Sequence, residues 1–403
     1  MKIKIGIRHN LIYPILLSTF TLFRKVDTIL MSEINDFKGS LLLTLIMFFS
    51  EIISGLVLYI SQIIFILNSE ESISKEINAK RNTLKSINSS ILNNKNSFGM
   101  YMMLLAISFF DFIEFILSTY YLPYCFPKYK IKSNSLEVRL GNIATIFSAF
   151  FYHFVLKFNL FKHQKLSLLI IFICLLTIVI SEIFFETILE NSDPKGFYYV
   201  LLLITINYFF LSSIVNTEKY LLEYHKINPY KMLMIEGIFG LIITSMYALY
   251  ENPFKEIKYN YNHKNKEFFL LFIFLLLYFL FSGGRNIYRI LTNKIYSPMT
   301  KIMADSFLDP LLIIYCFSFK GDLQNTYFFI INLSLSIIMV FFGLVFNDFL
   351  ILYCCNLEYE TYLEISKRAD TIEDIKPLQN NEMTEIINDD YYTSCKKNEI
   401  VIY

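Results

Sequence analysis

The chain has 403 residues, of which 55% are hydrophobic and 18% are charged, and its mean hydropathy is +0.47. Soluble domains carry about 25% charged residues, so this composition argues against a water-soluble enzyme. The 36 basic and 35 acidic residues give a net charge of +1, which removes any bulk electrostatic case for nucleic-acid binding.

Long apolar stretches recur along the whole chain. A membrane-spanning helix needs about 20 mostly apolar residues, and ten stretches approach or exceed that length. The clearest are 41–67, 100–122, 166–185, 197–215, 268–281 with its flanks, and 327–353, and the weaker ones are 9–31, 136–156, 232–250 and 297–319. The sequence therefore predicts an all-α membrane protein with about ten transmembrane helices.

The polar segments divide this helical region. We expect a cytosolic N-terminus over 1–8, a flexible polar loop over 68–99, and an acidic, partly disordered cytosolic tail over 356–403. The remaining residues form two sets of five helices, 9–187 and 196–353. An odd number of helices per set gives the two sets opposite orientations, as in transporters built from inverted repeats.

The basic residues favour an orientation with both termini in the cytosol. With that orientation 16 Lys and Arg fall in cytosolic segments and 10 on the opposite side. The cytosolic count includes Lys219 and a predicted basic turn at 289–294. Gly283 and Gly284 interrupt the eighth apolar stretch, and an interrupted span near a charged residue points to a binding cavity.

Ionisable residues inside predicted spans are candidate pathway residues, because a charge in a membrane is unfavourable. Asp111 and Glu114 lie three residues apart near the middle of one span, and Glu51 lies at a similar depth in another. Arg139 and Lys301 are the cations expected to neutralise them. Glu236 and Asp305 complete the predicted pathway. Proton exchange and a structural ion-pair network are both open roles for these carboxylates.

Signals for catalysis or metal binding are missing from the sequence. The six cysteines form no CxxC pair, and the five histidines have no metal-ligand spacing. Common hydrolase, nucleotide-binding and metalloprotease motifs are also missing. We therefore expect neither an enzyme nor a bound cofactor or metal.

Several short strings resemble the drug/metabolite transporter superfamily in the expected order. Segments 139–150 and 156–167 resemble its spans 4 and 5, and segments 216–221 and 234–240 resemble the solute carrier 35 F subfamily, an EamA-like branch related to nucleotide-sugar transporters. Where that subfamily has a paired glutamate and a tryptophan, this chain has Thr217-Glu218 and Ile235. The resemblance implies ten helices in two inverted five-helix repeats, cytosolic termini and a central cavity.

The leading hypothesis is a secondary transporter that moves a small polar or anionic organic solute across an internal membrane by alternating access. The Golgi, endosome, lysosome and vacuole are the membranes that the resemblance favours. In this hypothesis Arg139 and Lys301 attract the anionic group, while Glu51, Asp111 and Glu236 line the cavity. The expected partners are the solute and the lipid bilayer, and the sequence leaves open whether the chain forms a homodimer.

Other functions remain as alternatives. A non-transporting scaffold or regulator would recruit partners through the acidic tail, which contains a tyrosine-based sorting pattern at 362–365. A channel is a third hypothesis, although no filter motif is visible. A membrane enzyme has the least support.

Overall fold

Helices form nearly all of the structure. The computed structural model describes residues 2–5, 12–35, 40–73, 97–129, 136–156, 160–186, 194–249, 265–320, 326–353 and 361. The first helices are α1 (Ile12–Asn35), α2 (Ser40–Ile73), α3 (Ser97–Ile116), α4 (Leu122–Lys128), α5 (Leu136–Arg139) and α6 (Ile143–Phe150). The later ones are α7 (Lys162–Phe184), α8 (Pro194–Glu223), α9 (Pro229–Ala248), α10 (Asn265–Ile295), α11 (Pro298–Ser306), α12 (Asp309–Lys320) and α13 (Thr326–Phe346).

Two π-helical segments and two strands complete the described elements. The π-helical segments are Leu117–Tyr121, between α3 and α4, and Phe151–Val155, after α6. The strands β1 (Lys2–Ile5) and β2 (Leu350–Tyr353) pair antiparallel, with Lys2 opposite Tyr353. The predicted span 327–353 therefore ends early, because its last residues form a strand.

Seven helices in the described part of the chain are long and apolar enough to cross a membrane. They are Leu41–Ile64, Phe98–Phe126, Lys162–Glu186, Pro194–Glu223, Pro229–Ala248, Phe269–Ile295 and Thr326–Phe346. Each corresponds to one of the ten predicted spans. The structure thus confirms a multi-pass, all-α membrane protein at this level.

The other three predicted spans are helical but differ from simple apolar rods. Arg24, Lys25 and Asp27 interrupt the apolar character of α1. The predicted span 136–156 is divided between α5 and α6 by a turn at 140–142, and the predicted span 297–319 is divided between α11 and α12 by a turn at 307–308. Breaks of this kind leave segments too short to cross a bilayer alone.

The predicted interruption at Gly283 and Gly284 is wrong, because α10 continues through both glycines to Ile295. A Cβ added at Gly283 would lie 2.7 Å from Ser54 Oγ, and one at Gly284 would lie 2.6 Å from the Phe20 ring. The glycines therefore allow α1 and α2 to approach α10 closely, as small residues do in membrane helices.

Residues from the two ends of the described chain meet in one compact unit. This unit comprises Met1–His9, Asn159–Leu169 and Phe341–Tyr403, and the larger unit comprises Asn10–Phe158 and Ile170–Val340. In the smaller unit β1 pairs with β2, and His163 Nε2 lies 2.9 Å from Asp348 Oδ1.

Some predictions fall outside the described residues. The predicted polar loop 68–99 is helical over 68–73 and 97–99, and its residues 74–96 lie outside the described residues. The predicted acidic tail 356–403 is described only at Thr361. The proposed halves 9–187 and 196–353 stay a prediction.

The larger unit contains two buried apolar clusters to which α10 contributes. The first includes Phe48, Leu271 and Tyr278, and the second includes Ile214 and Ile290. Helix α10 is therefore packed over most of its length, and its polar residues are held inside the bundle.

Candidate functional site

A line of buried polar side chains runs along one face of α10. Its members are spaced three or four residues apart and are at most 2% exposed: Tyr278, Ser282, Asn286, Arg289 and Asn293. At 1.5 Å per residue this line is about 22 Å long. It therefore extends through most of the thickness of a bilayer core, which is about 30 Å.

Arg289 is the charged residue of this line, and four carboxylates from four helices surround its guanidinium. Its Nη2 atom lies 3.2 Å from Glu218 Oε1, 3.2 Å from Glu236 Oε2 and 3.6 Å from Glu51 Oε1. Its Nη1 atom lies 3.7 Å from Asp111 Oδ2. We call these five side chains the Arg289 cluster.

Some members of the Arg289 cluster accept further hydrogen bonds within the described part of the chain, and Glu51 does not. Asn293 Nδ2 donates to Glu218 Oε2 at 3.0 Å, and Ser108 Oγ donates to the backbone oxygen of Glu236 at 3.0 Å. Glu51 is 0% exposed, yet neither of its carboxylate oxygens has a hydrogen-bond partner among the described residues. Buried polar groups are normally hydrogen-bonded, so this carboxylate has capacity to accept.

The formal charge of the Arg289 cluster is strongly negative. With every group ionised, one guanidinium faces four carboxylates, which gives −3. In a low-dielectric interior such an excess is unfavourable unless cations or protons compensate it. The cluster is therefore chemically suited to exchange positive charge.

A second group of charges surrounds Arg285, which lies one helical turn before Arg289 on α10. Asp305 Oδ2 lies 2.9 Å from Lys301 Nζ and 3.5 Å from Arg285 Nη2, and Thr21 Oγ1 donates to Asp305 Oδ1 at 2.8 Å. Arg24 of α1 interacts electrostatically with Arg285 and Asp305. We call Arg24, Arg285, Lys301 and Asp305 the Arg285 cluster.

Glu114 connects the two clusters electrostatically. It interacts with Asp111 of the Arg289 cluster and with Arg24, Arg285 and Lys301 of the Arg285 cluster. Asp111 and Glu114 are three residues apart on α3, so their side chains lie on the same side of that helix. The two clusters thus belong to one charged region inside the bundle.

Arg139 does not neutralise the carboxylates with which the sequence paired it. Its guanidinium forms an ion pair with Glu182 of α7, and it lies over the Phe328 ring at 5.6 Å. Lys301 likewise contacts Asp305 rather than Asp111 or Glu51. Lys301 pairs with Asp305 because the two residues are four positions apart on the same helix.

The turns that divide the two broken segments lie against each other. A Cβ added at Gly141, between α5 and α6, would lie 3.4 Å from both Ser306 Oγ and Asp309 Oδ2. Asp309 also pairs with Lys25 of α1, whose Nζ lies 2.7 Å away. Tyr208 Oη donates to the backbone oxygen of Glu137 at 2.6 Å. Polar contacts therefore stabilise the backbone where both helices are interrupted.

The structure brings together most, but not all, of the residues that the sequence singled out. Glu51, Asp111 and Glu236 meet at Arg289. Glu114 lies within electrostatic range of Asp111 and Lys301, and Lys301 pairs with Asp305. Arg139 lies with Glu182 instead.

Sequence reasoning missed Arg289 and Glu218. Arg289 was predicted to lie in a cytosolic turn, and Glu218 follows the predicted span 197–215, whereas both are buried within long helices. The spacing of Ser282, Asn286 and Asn293 around Arg289 was the signal that could have revealed a polar helix face.

Within the described residues, no group of three or more His, Cys, Asp or Glu side chains is arranged to hold a metal ion. No protein-family model matches the chain, and comparison with curated proteins gives no match.

Proposed function

We propose that the chain is a secondary transporter, which moves a small polar organic solute across an internal membrane by alternating access. The observation that carries this proposal is the Arg289 cluster, in which five helices direct charged side chains to one buried point. Ionisable groups inside membrane helices are unfavourable and typically mark a pathway for solutes or ions.

The positions of the contributing helices support a pathway between two halves. Glu51 and Asp111 belong to the first predicted half of the chain, while Glu218, Glu236 and Arg289 belong to the second. In transporters with inverted repeats the solute site lies where the repeats meet. A cluster shared between halves can be opened toward either side when one half moves against the other.

Helix packing supports ten membrane segments in two inverted repeats. We match α1, α2, α3, the α5–α6 segment and α7 with α8, α9, α10, the α11–α12 segment and α13. Under this matching the contact between α1 and α10 corresponds to the contact between α8 and α3. The contact between α2 and α10 likewise corresponds to that between α9 and α3. The contact between α1 and α11 corresponds to that between α8 and α6. All six pairs are in contact, and the pair α2–α9 corresponds to itself.

The broken segments support the same matching. The α5–α6 and α11–α12 segments are equivalent under it, and both are interrupted. Discontinuous helices at corresponding positions of two repeats are a typical feature of transporter binding sites. Here the two interruptions contact each other at Gly141 and Asp309, as expected for elements related by a two-fold axis.

The first test is solute exchange by the purified full-length chain in proteoliposomes. A pool of radiolabelled amino acids, nucleotides, sugars and organic amines is offered in counterflow, and Arg289→Gln is compared with the unaltered protein. We expect at least one solute to exchange and the variant to lose exchange at least tenfold.

Lys165→Gln is the matched control, because Lys165 is exposed at the start of α7 and belongs to neither cluster. Since Arg289→Gln can also reduce stability, Glu51→Gln provides a milder change in the same cluster. Full exchange in both cluster variants, or no exchange of any pooled solute by the unaltered protein, contradicts the proposal.

A further inference from the structure

The two charge clusters carry opposite excess charge and lie side by side. Arg285 and Arg289 are four residues apart on α10, which corresponds to about 6 Å along the helix axis. The Arg289 cluster has an excess of carboxylates, whereas the Arg285 cluster has three cations and one carboxylate. The charged region therefore has a positive end and a negative end.

Arg24 gives the positive end its open binding capacity. Among the described residues its guanidinium has no carboxylate within ion-pairing distance, and its side chain donates to Met47 Sδ at 3.7 Å. A thioether sulfur is a weak acceptor. Arg24 also experiences the like charge of Arg285. Arg285 pairs with Asp305, whereas Arg24 has no such partner among the described residues. Two neighbouring guanidinium groups of which only one is paired form a good site for a carboxylate or phosphate group.

Glu51 gives the negative end its open binding capacity. Its carboxylate is completely buried and accepts no hydrogen bond from any residue in the described part of the chain. It lies 3.6 Å from Arg289, which three further carboxylates share. An ammonium group carries three donors and a positive charge. It would supply the hydrogen bonds that Glu51 lacks and would reduce the formal charge of the Arg289 cluster from −3 to −2.

A solute with only one charge leaves the other end unmatched. An anion at Arg24 does nothing for Glu51, and a cation at Glu51 does nothing for the guanidinium pair. Glu114 compensates only part of the positive end. Resting on the proposed transport function, we infer that the solute is a small zwitterion of the amino-acid type. Its anionic group is held by Arg24 and Arg285, and its ammonium group by Glu51 and Asp111.

The experiment compares three forms of one molecule in proteoliposomes that contain the full-length protein. Counterflow with the twenty radiolabelled amino acids first identifies an exchanged amino acid. Its decarboxylated amine and its deaminated acid are then tested as competitors. We expect the amino acid to compete at least tenfold better than either truncated form.

Two variants assign the charged groups of the solute to the two ends. Arg24→Gln should remove the preference for the amino acid over the amine, and Glu51→Gln should remove the preference over the acid. Lys165→Gln should leave both preferences unchanged. Competition in the unaltered protein needs no variant, so the inference can be tested even if a variant fails to fold.

The other possible results distinguish a failure of the zwitterion inference from a failure of the proposed transport function. Equal competition by the amine or by the acid overturns the zwitterion. Exchange restricted to nucleotides, sugars or singly charged amines also overturns it, while the proposed transport function stands. Failure of every pooled solute to exchange contradicts the transport function itself.

Discussion

Nη2 of Arg289 lies 3.2 Å from Oε2 of Glu236, which joins α10 to α9 in the interior of the bundle. Removal of Arg289 would leave this glutamate and three further carboxylates without their shared cation. Loss of one partner from a buried ion pair costs about 3–5 kcal/mol. We therefore expect Arg289→Gln to lower the thermal unfolding temperature of the purified protein strongly in detergent.

Glu236→Gln should have a much smaller effect on stability. This variant keeps a hydrogen-bond acceptor at the same position and removes one of four mutually repelling charges. We expect a change below about 1 kcal/mol, because the substitution leaves no unpaired buried charge, which is a main cause of large losses. If Glu236→Gln lowers the unfolding temperature as much as Arg289→Gln, then Glu236 is a structural partner of Arg289 that the other carboxylates cannot replace.

The carboxylates of this region could be predicted from the sequence, and their cation could not. Glu51, Asp111 and Glu236 stand out because each interrupts an apolar stretch. Arg289 follows two glycines and precedes further polar residues, so it resembles the start of a surface turn. Only the tertiary structure reveals that these glycines serve close helix packing, since this depends on the side chains of Ser54 and Phe20.

The helix breaks show the same limit of sequence reasoning. Hydropathy predicts one span over 297–319, because its average composition is apolar. The N-terminus of α11 is visible in the sequence, since Ser297 caps it by accepting from the backbone NH of Thr300 and Pro298 follows. The turn at 307–308 and its contact with Gly141 depend on another segment more than 150 residues away.

The close packing of α9 against α2 provides a test of the helix arrangement. A Cβ added at Gly240 would lie 2.2 Å from the Phe48 ring. Gly240→Ala should therefore force a repacking that costs about 1–3 kcal/mol. Thermal unfolding in detergent measures this loss, and Phe48→Leu in the same chain should restore part of it by removing the ring.

Gly99 supplies the matched control for this prediction. It also lies in a membrane-spanning helix, but a Cβ there would have no heavy atom of the described residues within 4 Å. Gly99→Ala should leave the unfolding temperature unchanged or slightly raised, because alanine favours helix more than glycine. Equal losses in Gly99→Ala and Gly240→Ala would contradict the close contact between α9 and α2.

Asp348 ends α13 in a left-handed backbone conformation with φ of 60°. The NH of Phe349 donates to the carbonyl of Leu344 at 2.9 Å, and the NH of Asp348 donates to that of Val345 at 3.2 Å. This is the Schellman pattern, which favours glycine or asparagine at this position. Asp348→Val should cost about 1–2 kcal/mol because a β-branched residue is strained there.

Asn and Gly separate backbone strain from the contact with His163. Both residues tolerate positive φ, but neither retains the carboxylate that lies 2.9 Å from His163 Nε2. We expect Asp348→Asn to remain close to the original stability and Asp348→Gly to lie between Asn and Val. If valine is tolerated as well as asparagine in thermal unfolding, the left-handed turn does not limit stability.

Lys219 of α8 completes the C-terminal end of α10, which carries the site. Its Nζ donates to the carbonyl oxygens of Asn293 at 3.0 Å, Lys294 at 3.3 Å and Tyr296 at 2.6 Å. The last carbonyls of a helix have no partner within the helix, and a cation there also interacts favourably with the negative end of the helix dipole. Lys219→Met should therefore loosen the last turn of α10 and cost about 1–3 kcal/mol.

Hydrogen–deuterium exchange measured on peptides covering 286–296 checks this effect directly. Exchange should accelerate in that segment of Lys219→Met, and peptides from α6 should keep their original rate. Lys165→Met controls for the loss of a lysine, because that side chain is exposed. Lys219→Arg should retain much of the protection, since its guanidinium can also donate to several carbonyls. If exchange at 286–296 is unchanged in Lys219→Met, then the hydrogen bonds from Lys219 do not stabilise the last turn of α10.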